Sequence, residues 1–125
     1  MHKHPSLAEL VESVKAFVDE TAAPNLTGHA AFHARVASNV LATIQRELDQ
    51  GPTAEADEKE RLLLLMKATE TETLDTLNRS LCRSIRVGDM THATPGLIDH
   101  LKSTAIAQLN IDQPRYSGAK RLKEG

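Results

Sequence analysis

Residues 32–44 read FHARVASNVLATI and carry an apolar side chain at every fourth position, at Phe32, Val36, Val40 and Ile44. Because an α-helix completes one turn in about 3.6 residues, this spacing predicts a helix with one apolar face. We expect that face to point inward, against other helices of the same domain.

Four more segments with helical spacing accompany this one, and Gly or Pro residues separate several of them. The predicted helices span 6–21, 28–50, 53–68, 70–87 and 95–109. The second should end at Gly51-Pro52, because glycine suits a left-handed cap and proline cannot continue the hydrogen-bond ladder. Short connections between amphipathic helices favour an all-α, antiparallel bundle of four to five helices in a single domain, 1–125. Residues 110–125 are predicted to form an extended C-terminal tail.

Three short motifs mark where helices should begin. Ser6 and Glu9 have the spacing of a capping box, in which each side chain accepts a hydrogen bond from the other residue's backbone. Thr69 and Glu72 repeat that spacing before the fourth predicted helix. Thr94 followed by Pro95 has the order expected for a cap and a first helical residue.

Composition excludes some classes of function. The 125 residues have a net charge of −2 and include only three aromatic residues, which argues against a nucleic-acid binder. No apolar run is long enough to cross a membrane. Cys82 is the only cysteine, and a single thiol fits a reducing compartment, so the sequence predicts a cytoplasmic protein.

Polar residues share the apolar face of the second helix. At about 100° per residue, His29, His33, Thr43 and Glu47 project near Val36, and Asn39 lies at the edge of the same face. A buried polar group without a partner costs about 1–3 kcal/mol. Other side chains, water, a ligand or a second subunit must therefore satisfy these groups.

A metal site is the first chemical hypothesis for this face. His29 and His33 lie four residues apart and can reach one ion, but the intervening residues lack the glutamate of a zinc-protease helix. Glu47 lies roughly 21 Å further along the helix than His33. The sequence thus predicts no metal and no other cofactor, with His29 and His33 as a weak candidate pair.

An anionic ligand is the second hypothesis. Asn78 interrupts the apolar stripe of the fourth predicted helix, whose outer side carries arginines, and it can meet the second helix if the two pack together. Cys82 is predicted to be a buried, inert thiol, and no catalytic residues are assigned. The candidate ligand-binding residues are His33, Arg35, Asn39, Asn78, Arg79, Arg86 and His100. The alternative is a solvated arginine face with ordinary helical pairing.

Several separate blocks of the chain resemble a family of small bacterial proteins catalogued as a domain of unknown function. The blocks are residues 32–41, Arg46-Glu47-Leu48 with Gly51, the arginine-bearing stretch 77–88, His100-Leu101, and residues 109–116. The resemblance implies a gene often placed beside an aminoglycoside-phosphotransferase-like kinase and an acyl-CoA dehydrogenase. It therefore implies an accessory role in acyl-CoA or hydroxy-acid catabolism.

Two functions follow as predictions. The first is a non-enzymatic accessory or protein-interaction subunit that forms a homo-oligomer and has a kinase-like or acyl-CoA dehydrogenase partner. The alternative is a helical bundle that binds a small anionic molecule in a polar pocket between the second and fourth predicted helices.

Overall fold

In a computed structural model, which describes residues 4–118 and 121, the chain forms four α-helices and no β-strand among those residues. The all-α prediction is thus confirmed. The helices are α1 (Leu7–Phe17), α2 (Gly28–Met66), α3 (Leu74–Arg86) and α4 (Leu97–Asp112).

Helix α1 begins at the predicted capping box. The Ser6 hydroxyl accepts a hydrogen bond from the backbone N–H of Glu9 at 3.1 Å, and the Glu9 carboxylate accepts one from the backbone N–H of Ser6 at 3.3 Å. After Phe17 the backbone continues as a π-helical turn, Val18–Ala22, and a 3₁₀ turn, Ala23–Asn25. The predicted segment 6–21 is therefore helical beyond its cap, although its last residues are not α-helical.

The predicted end at Gly51-Pro52 is wrong, because α2 runs without interruption from Gly28 to Met66 with Pro52 inside it. The segments predicted as 28–50 and 53–68 are one helix. Gly51 is buried and does not have the positive φ of a left-handed cap. Proline removes one helical hydrogen bond, here to the carbonyl of Leu48, but it does not forbid a helix whose flanking turns are stabilised.

We expect Pro52→Ala to raise the free energy of unfolding by about 2 kcal/mol. An interior proline costs a helix about 3 kcal/mol relative to alanine, and the greater entropy of the unfolded chain with alanine offsets about 0.4–1 kcal/mol of this gain. Urea denaturation followed by circular dichroism measures the change. Thr53→Ala, at the next exposed position, controls for helix propensity. A lower stability for Pro52→Ala would mean that the proline stabilises the chain at this position.

Helices α3 and α4 begin later than predicted. Thr73 caps α3, since its hydroxyl accepts from the backbone N–H of Thr76 at 3.1 Å, whereas the Thr69 hydroxyl bonds that of Thr71 at 2.8 Å. Gly96, with φ +86°, is the residue before α4. The Thr94 hydroxyl instead accepts from the backbone N–H of Thr91 at 2.9 Å. Threonine is common in turns as well as caps, which explains both errors.

The predicted tail is partly helical. α4 extends to Asp112, and Ile111 is buried with 2 % of its surface exposed. The backbone N–H of Tyr116 donates to the carbonyl of Gln113 at 2.9 Å, so a turn follows the helix. The remaining tail prediction for 119, 120 and 122–125 lies outside the described residues.

The chain divides into two compact units, 1–50 and 51–125. The boundary falls at Gly51-Pro52, which the sequence marks as a break although the helix continues. In the second unit, Leu62, Leu77, Leu81 and Leu97 form a buried cluster. The prediction of a single domain concerns how the two units combine, and it stays a prediction.

The first unit is built differently, because none of its described residues, 4–50, is buried. Its less exposed α2 positions include small residues such as Ala31, Ala34 and Ser38, and the expected inward residues Phe32, Val36, Val40 and Ile44 are 39 % to 54 % exposed. The inward face predicted for the second helix is therefore wrong. Periodicity identifies a face of similar residues, but it does not say whether the face of large or of small residues packs against the rest of the unit.

A polar contact joins α2 to the π-helical turn within the first unit. The Ser38 hydroxyl donates to the Asp19 carboxylate at 2.5 Å, and Lys15 pairs with the same carboxylate at 2.7 Å. The hydrogen bonds from Lys15 and then Ser38 lower the pKa of Asp19 below its ordinary value. The Asp19 carboxylate thus holds the side of α2 that carries Ser38 against the π-helical turn.

Candidate functional site

An open cleft of about 330 Å³ lies in the second unit, at the amino end of α4. Its walls combine apolar and polar groups: Arg61, Leu64, Leu65, Pro95, Gly96, Asp99, His100 and Ser103 line it. The positive φ of Gly96 turns the chain into α4 beside the Leu65 side chain, 3.7 Å from where a Cβ would stand. Clefts near this size with a few polar groups suit small molecules.

His100 is a buried polar residue in the lining of the cleft, and it is 4 % exposed. The Arg61 Nε donates to its Nδ1 at 3.2 Å, and Arg61 Nη2 donates to the Thr104 hydroxyl at 3.1 Å. Because Nδ1 accepts this bond, the neutral imidazole carries its proton on Nε2. Arg61 thus sets both the tautomer and the orientation of His100.

A second polar contact lies beside this pair. The Asn78 side-chain amide donates to the Glu58 carboxylate at 3.1 Å. Burial lowers the pKa of His100 most, the Arg61 charge lowers it further, and Glu58 opposes both. The neutral imidazole is therefore favoured, and it presents a hydrogen-bond donor.

Because His100 is buried, we expect the free energy of unfolding to depend on pH. Its folded pKa lies below the ordinary value of 6.5, so between those two values the unfolded chain binds more protons than the folded one. The stabilisation is complete above about pH 6.5 and is lost as pH falls toward the folded pKa, with a slope of at most about 1.4 kcal/mol per pH unit for one proton. Urea denaturation at a series of pH values measures that slope. The series runs from about pH 5 to about pH 8, because histidine titrates in roughly this range.

Two variants separate this contribution from the rest of the titration. His100→Gln should flatten the slope below pH 6.5, whereas His92→Gln, at an exposed histidine, should leave it unchanged. Equal slopes in wild type and His100→Gln would contradict the prediction.

Three predicted ligand residues lie along one open groove of α3. Asn78, Arg79 and Arg86 line it together with Cys82, Arg83 and Val87, around a volume of about 610 Å³. Arg79 pairs with Asp75 at 3.1 Å, and both side chains are at least three quarters exposed. Cys82 is exposed, so the prediction of a buried thiol is wrong. The stripe's edge, where Cys82 stands, faces solvent.

The other candidate residues on α2 lie in the first unit. His33, Arg35 and Asn39 are exposed, as is His29. The Phe32 and His33 rings meet edge to face with centroids 5.6 Å apart. Within residues 4–118 and 121, no three His, Cys, Asp or Glu side chains assemble a metal site. The predicted convergence with Asn78 involves both units and stays a prediction.

Sequence reasoning selected His100 but missed the residues that hold it. Arg61 directly precedes the apolar run Leu62–Met66 and looks like an ordinary solvated residue. Thr104 lies four positions after His100, on the same side of α4. That i,i+4 pair of polar residues was the available signal. No pattern in α2 indicates that Arg61 spans both of them.

Comparison with known proteins gives one match. Residues 24–116 match a family model described as a domain of unknown function, DUF6285. No curated protein and no solved structure matches the chain. Within the described part of the chain, none of the helices combines the length and apolar character needed to cross a membrane.

Proposed function

We propose that this chain, which belongs to the DUF6285 family of domains of unknown function, is a non-enzymatic accessory protein that associates with a second copy of itself through its first unit. The observation that carries this proposal is the first unit's surface. Nine large apolar side chains there keep 39 % to 61 % of their surface exposed. They are Leu7, Leu10, Val14, Phe17, Leu26, Phe32, Val36, Val40 and Ile44.

A pair of helices without a buried side chain has little to stabilise it alone. Isolated helices are marginal in water, and most helical stability comes from packing an apolar face. Residues 4–50 have no buried residue. A specific interface covers on the order of 800 Å² on each partner, and nine side chains of this size and exposure can supply most of that area.

The spacing along α2 favours a second copy as the partner. His29, His33, Val36, Val40, Thr43 and Glu47 form a seam in which the steps alternate between four and three residues, the heptad pattern of a coiled coil. We name these six residues the α2 seam. Phe32 and Ile44 flank it. A two-fold related copy presents the same seam, so the surface must be complementary to itself.

An antiparallel copy centred on Ser38 meets this requirement at every layer. Val36 then faces Val40 of the second copy, and the two-fold symmetry produces this layer twice. Further out, His33 faces Thr43 and His29 faces Glu47. Apolar groups meet apolar groups, and each histidine meets a hydrogen-bond acceptor. His29 and His33 thus acquire hydrogen-bond partners from the second copy.

Light scattering coupled to size exclusion tests the association. We expect the full chain to elute with twice the mass of one chain, and with a mass that falls on dilution. A mass equal to one chain at every concentration would overturn the proposal. Urea midpoints that rise with protein concentration provide an independent sign of association.

A second candidate function is the binding of a small anion along α3. Arg79, Arg83 and Arg86 line one groove, and arginine is well suited to phosphate and carboxylate groups. Titration with inorganic phosphate tests it, because Arg83→Gln together with Arg86→Gln should abolish saturable binding. Arg35→Gln, an exposed arginine in the first unit, is the control.

Three wider features complete the proposed role. We place the protein in the cytoplasm, as the single Cys82 favours, and we propose an antiparallel arrangement of its helices. The kinase-like or acyl-CoA dehydrogenase partner that the resemblance implies would then bind the associated form. Co-elution of such an enzyme with the wild-type chain, and not with a dissociated variant, tests this extension.

A further inference from the structure

Arg61 is a half-buried cation that has no counterion in the described structure. Its side chain lines the cleft at the amino end of α4. Among residues 4–118 and 121, no carboxylate lies within ion-pair distance of its guanidinium. A charge withdrawn from water without a partner is costly, and an anion entering from solvent would supply that partner.

The guanidinium is held in place with donors to spare. Its Nε bonds His100 and its Nη2 bonds Thr104, at 3.2 and 3.1 Å. Arginine has five N–H donors, so two of the five are used by the protein. The donors that remain are on the Nη1 and Nη2 nitrogens, the end of the fork that binds a carboxylate with two parallel hydrogen bonds.

His100 lines the same cleft and holds the Arg61 guanidinium in place. Its Nδ1 accepts from Arg61, so Nε2 carries the proton, and Nε2 has no hydrogen bond within residues 4–118 and 121. No described side-chain nitrogen or oxygen is both fully enclosed and without a partner. The Nε2–H of this 4 % exposed residue lies across the ring from Nδ1, so it does not share a ligand with the Arg61 guanidinium.

We propose that this cleft binds a small organic monocarboxylate with a short hydrocarbon chain, held by the remaining Nη1 and Nη2 donors of Arg61, which His100 and Thr104 keep in place. Leu64, Leu65 and Pro95 provide an apolar wall for the chain. The positive end of the α4 dipole faces the same space.

The surrounding charges distinguish a monoanion from a dianion. Asp99 lines the cleft, and Glu58 acts on His100 electrostatically. Two nearby carboxylates repel a phosphate dianion more strongly than a single carboxylate. The volume of about 330 Å³ lies at the lower limit for small-molecule sites, so a short acyl chain fits better than a large ligand.

Nitrogen NMR of the ¹⁵N-labelled full chain tests the proposal, with butyrate as the probe. We expect butyrate to shift the resonance of His100 Nδ1, which accepts from Arg61, in a saturable way. Butyramide should leave this resonance unchanged, and inorganic phosphate should shift it only at higher concentrations. Arg61→Gln should weaken butyrate binding roughly ten- to a hundredfold, the range for a lost charged hydrogen bond. Arg115→Gln, at an exposed arginine, should bind as the wild type does.

Ser103→Leu provides a test that leaves Arg61 and His100 intact. Ser103 lines the cleft, so a leucine there should fill it and abolish the butyrate shift while circular dichroism stays unchanged. An equal shift of the His100 Nδ1 resonance by butyramide, a shift by phosphate at lower concentrations than by butyrate, or full butyrate binding by Ser103→Leu would each overturn the proposal. None of these outcomes depends on whether the first unit associates.

Discussion

Leu77→Ala should lower the free energy of unfolding of the second unit by about 3–5 kcal/mol. Leu77 has no exposed surface and lies in the cluster with Leu62, Leu81 and Leu97. Removing its side chain loses the transfer free energy of the buried methyl groups and leaves a cavity, and buried Leu→Ala changes cost about 2–5 kcal/mol. We place the value in the upper part of that range because this unit has few other buried side chains over which to spread the loss.

Leu64→Ala is the matched control for this change. The same atoms are removed from a side chain that is 77 % exposed, so the loss should stay below about 0.5 kcal/mol, as for most surface substitutions. Urea denaturation followed by circular dichroism measures both variants. Equal losses for Leu77→Ala and Leu64→Ala would show that the four-leucine cluster does not stabilise the unit.

Val36→Lys and Val40→Glu should each abolish self-association, and mixing the two variants should restore it. In the antiparallel seam centred on Ser38, each Val36 faces Val40 of the second copy. A homodimer of either variant must bury two charges without partners, which costs several kcal/mol. A mixed dimer instead places the introduced lysine of one chain opposite the introduced glutamate of the other, and it keeps valine opposite valine in the second layer.

Light scattering of each variant alone and of the equimolar mixture measures this effect. The expected masses are one chain for each variant and two chains for the mixture. The pair Val14→Lys and Val40→Glu is the control, because α1 and the α2 seam have no such reciprocal register. Restored association in the control pair, or none in the first pair, would contradict the antiparallel register. Whether the chain associates at all is tested separately, by the mass of the wild-type chain.

The helix starts show how far local patterns predict the fold. The Ser6 and Glu9 capping box was correct because the reciprocal bonds depend only on residues three positions apart. The assignment of Thr69 and Thr94 as caps was wrong because threonine serves turns equally well. Local chemistry restricts the possibilities at such positions, and packing chooses among them.

The largest error in the predicted fold has a related cause. Gly51-Pro52 has the composition of a helix end, yet α2 passes through it. Whether a proline ends a helix depends on what the following turns bury, and Leu62 is buried in the same helix. That stabilisation comes from α3 and α4 residues distant in sequence, so no window around Pro52 contains it.

The candidate site was predictable only in part. His100 was selected at the edge of the fifth predicted helix, Asn78 because it interrupts an apolar stripe, and Arg86 because it lies on the outer side of the fourth predicted helix. The contact from Arg61 to His100 spans 39 residues, and no periodicity encodes it. The periodicity of α2 correctly identifies one face of the helix, but the prediction that this face points inward is wrong. The exposure of Phe32 and Val40 shows that it points outward.

The backbone hydrogen bond that Pro52 cannot make in α2 bears on how the chain folds and associates. Helix formation propagates through successive backbone hydrogen bonds, and the ladder is interrupted next to the boundary between the units at Gly51. The second unit has its own leucine cluster, whereas the described part of the first has no buried residue. If the chain associates as we propose, folding and dimerisation are separate events in time. The second unit can form in a single chain at a rate independent of concentration. The apolar side chains of the first unit become covered only at the encounter, so the rate of that step rises with the concentration of chains.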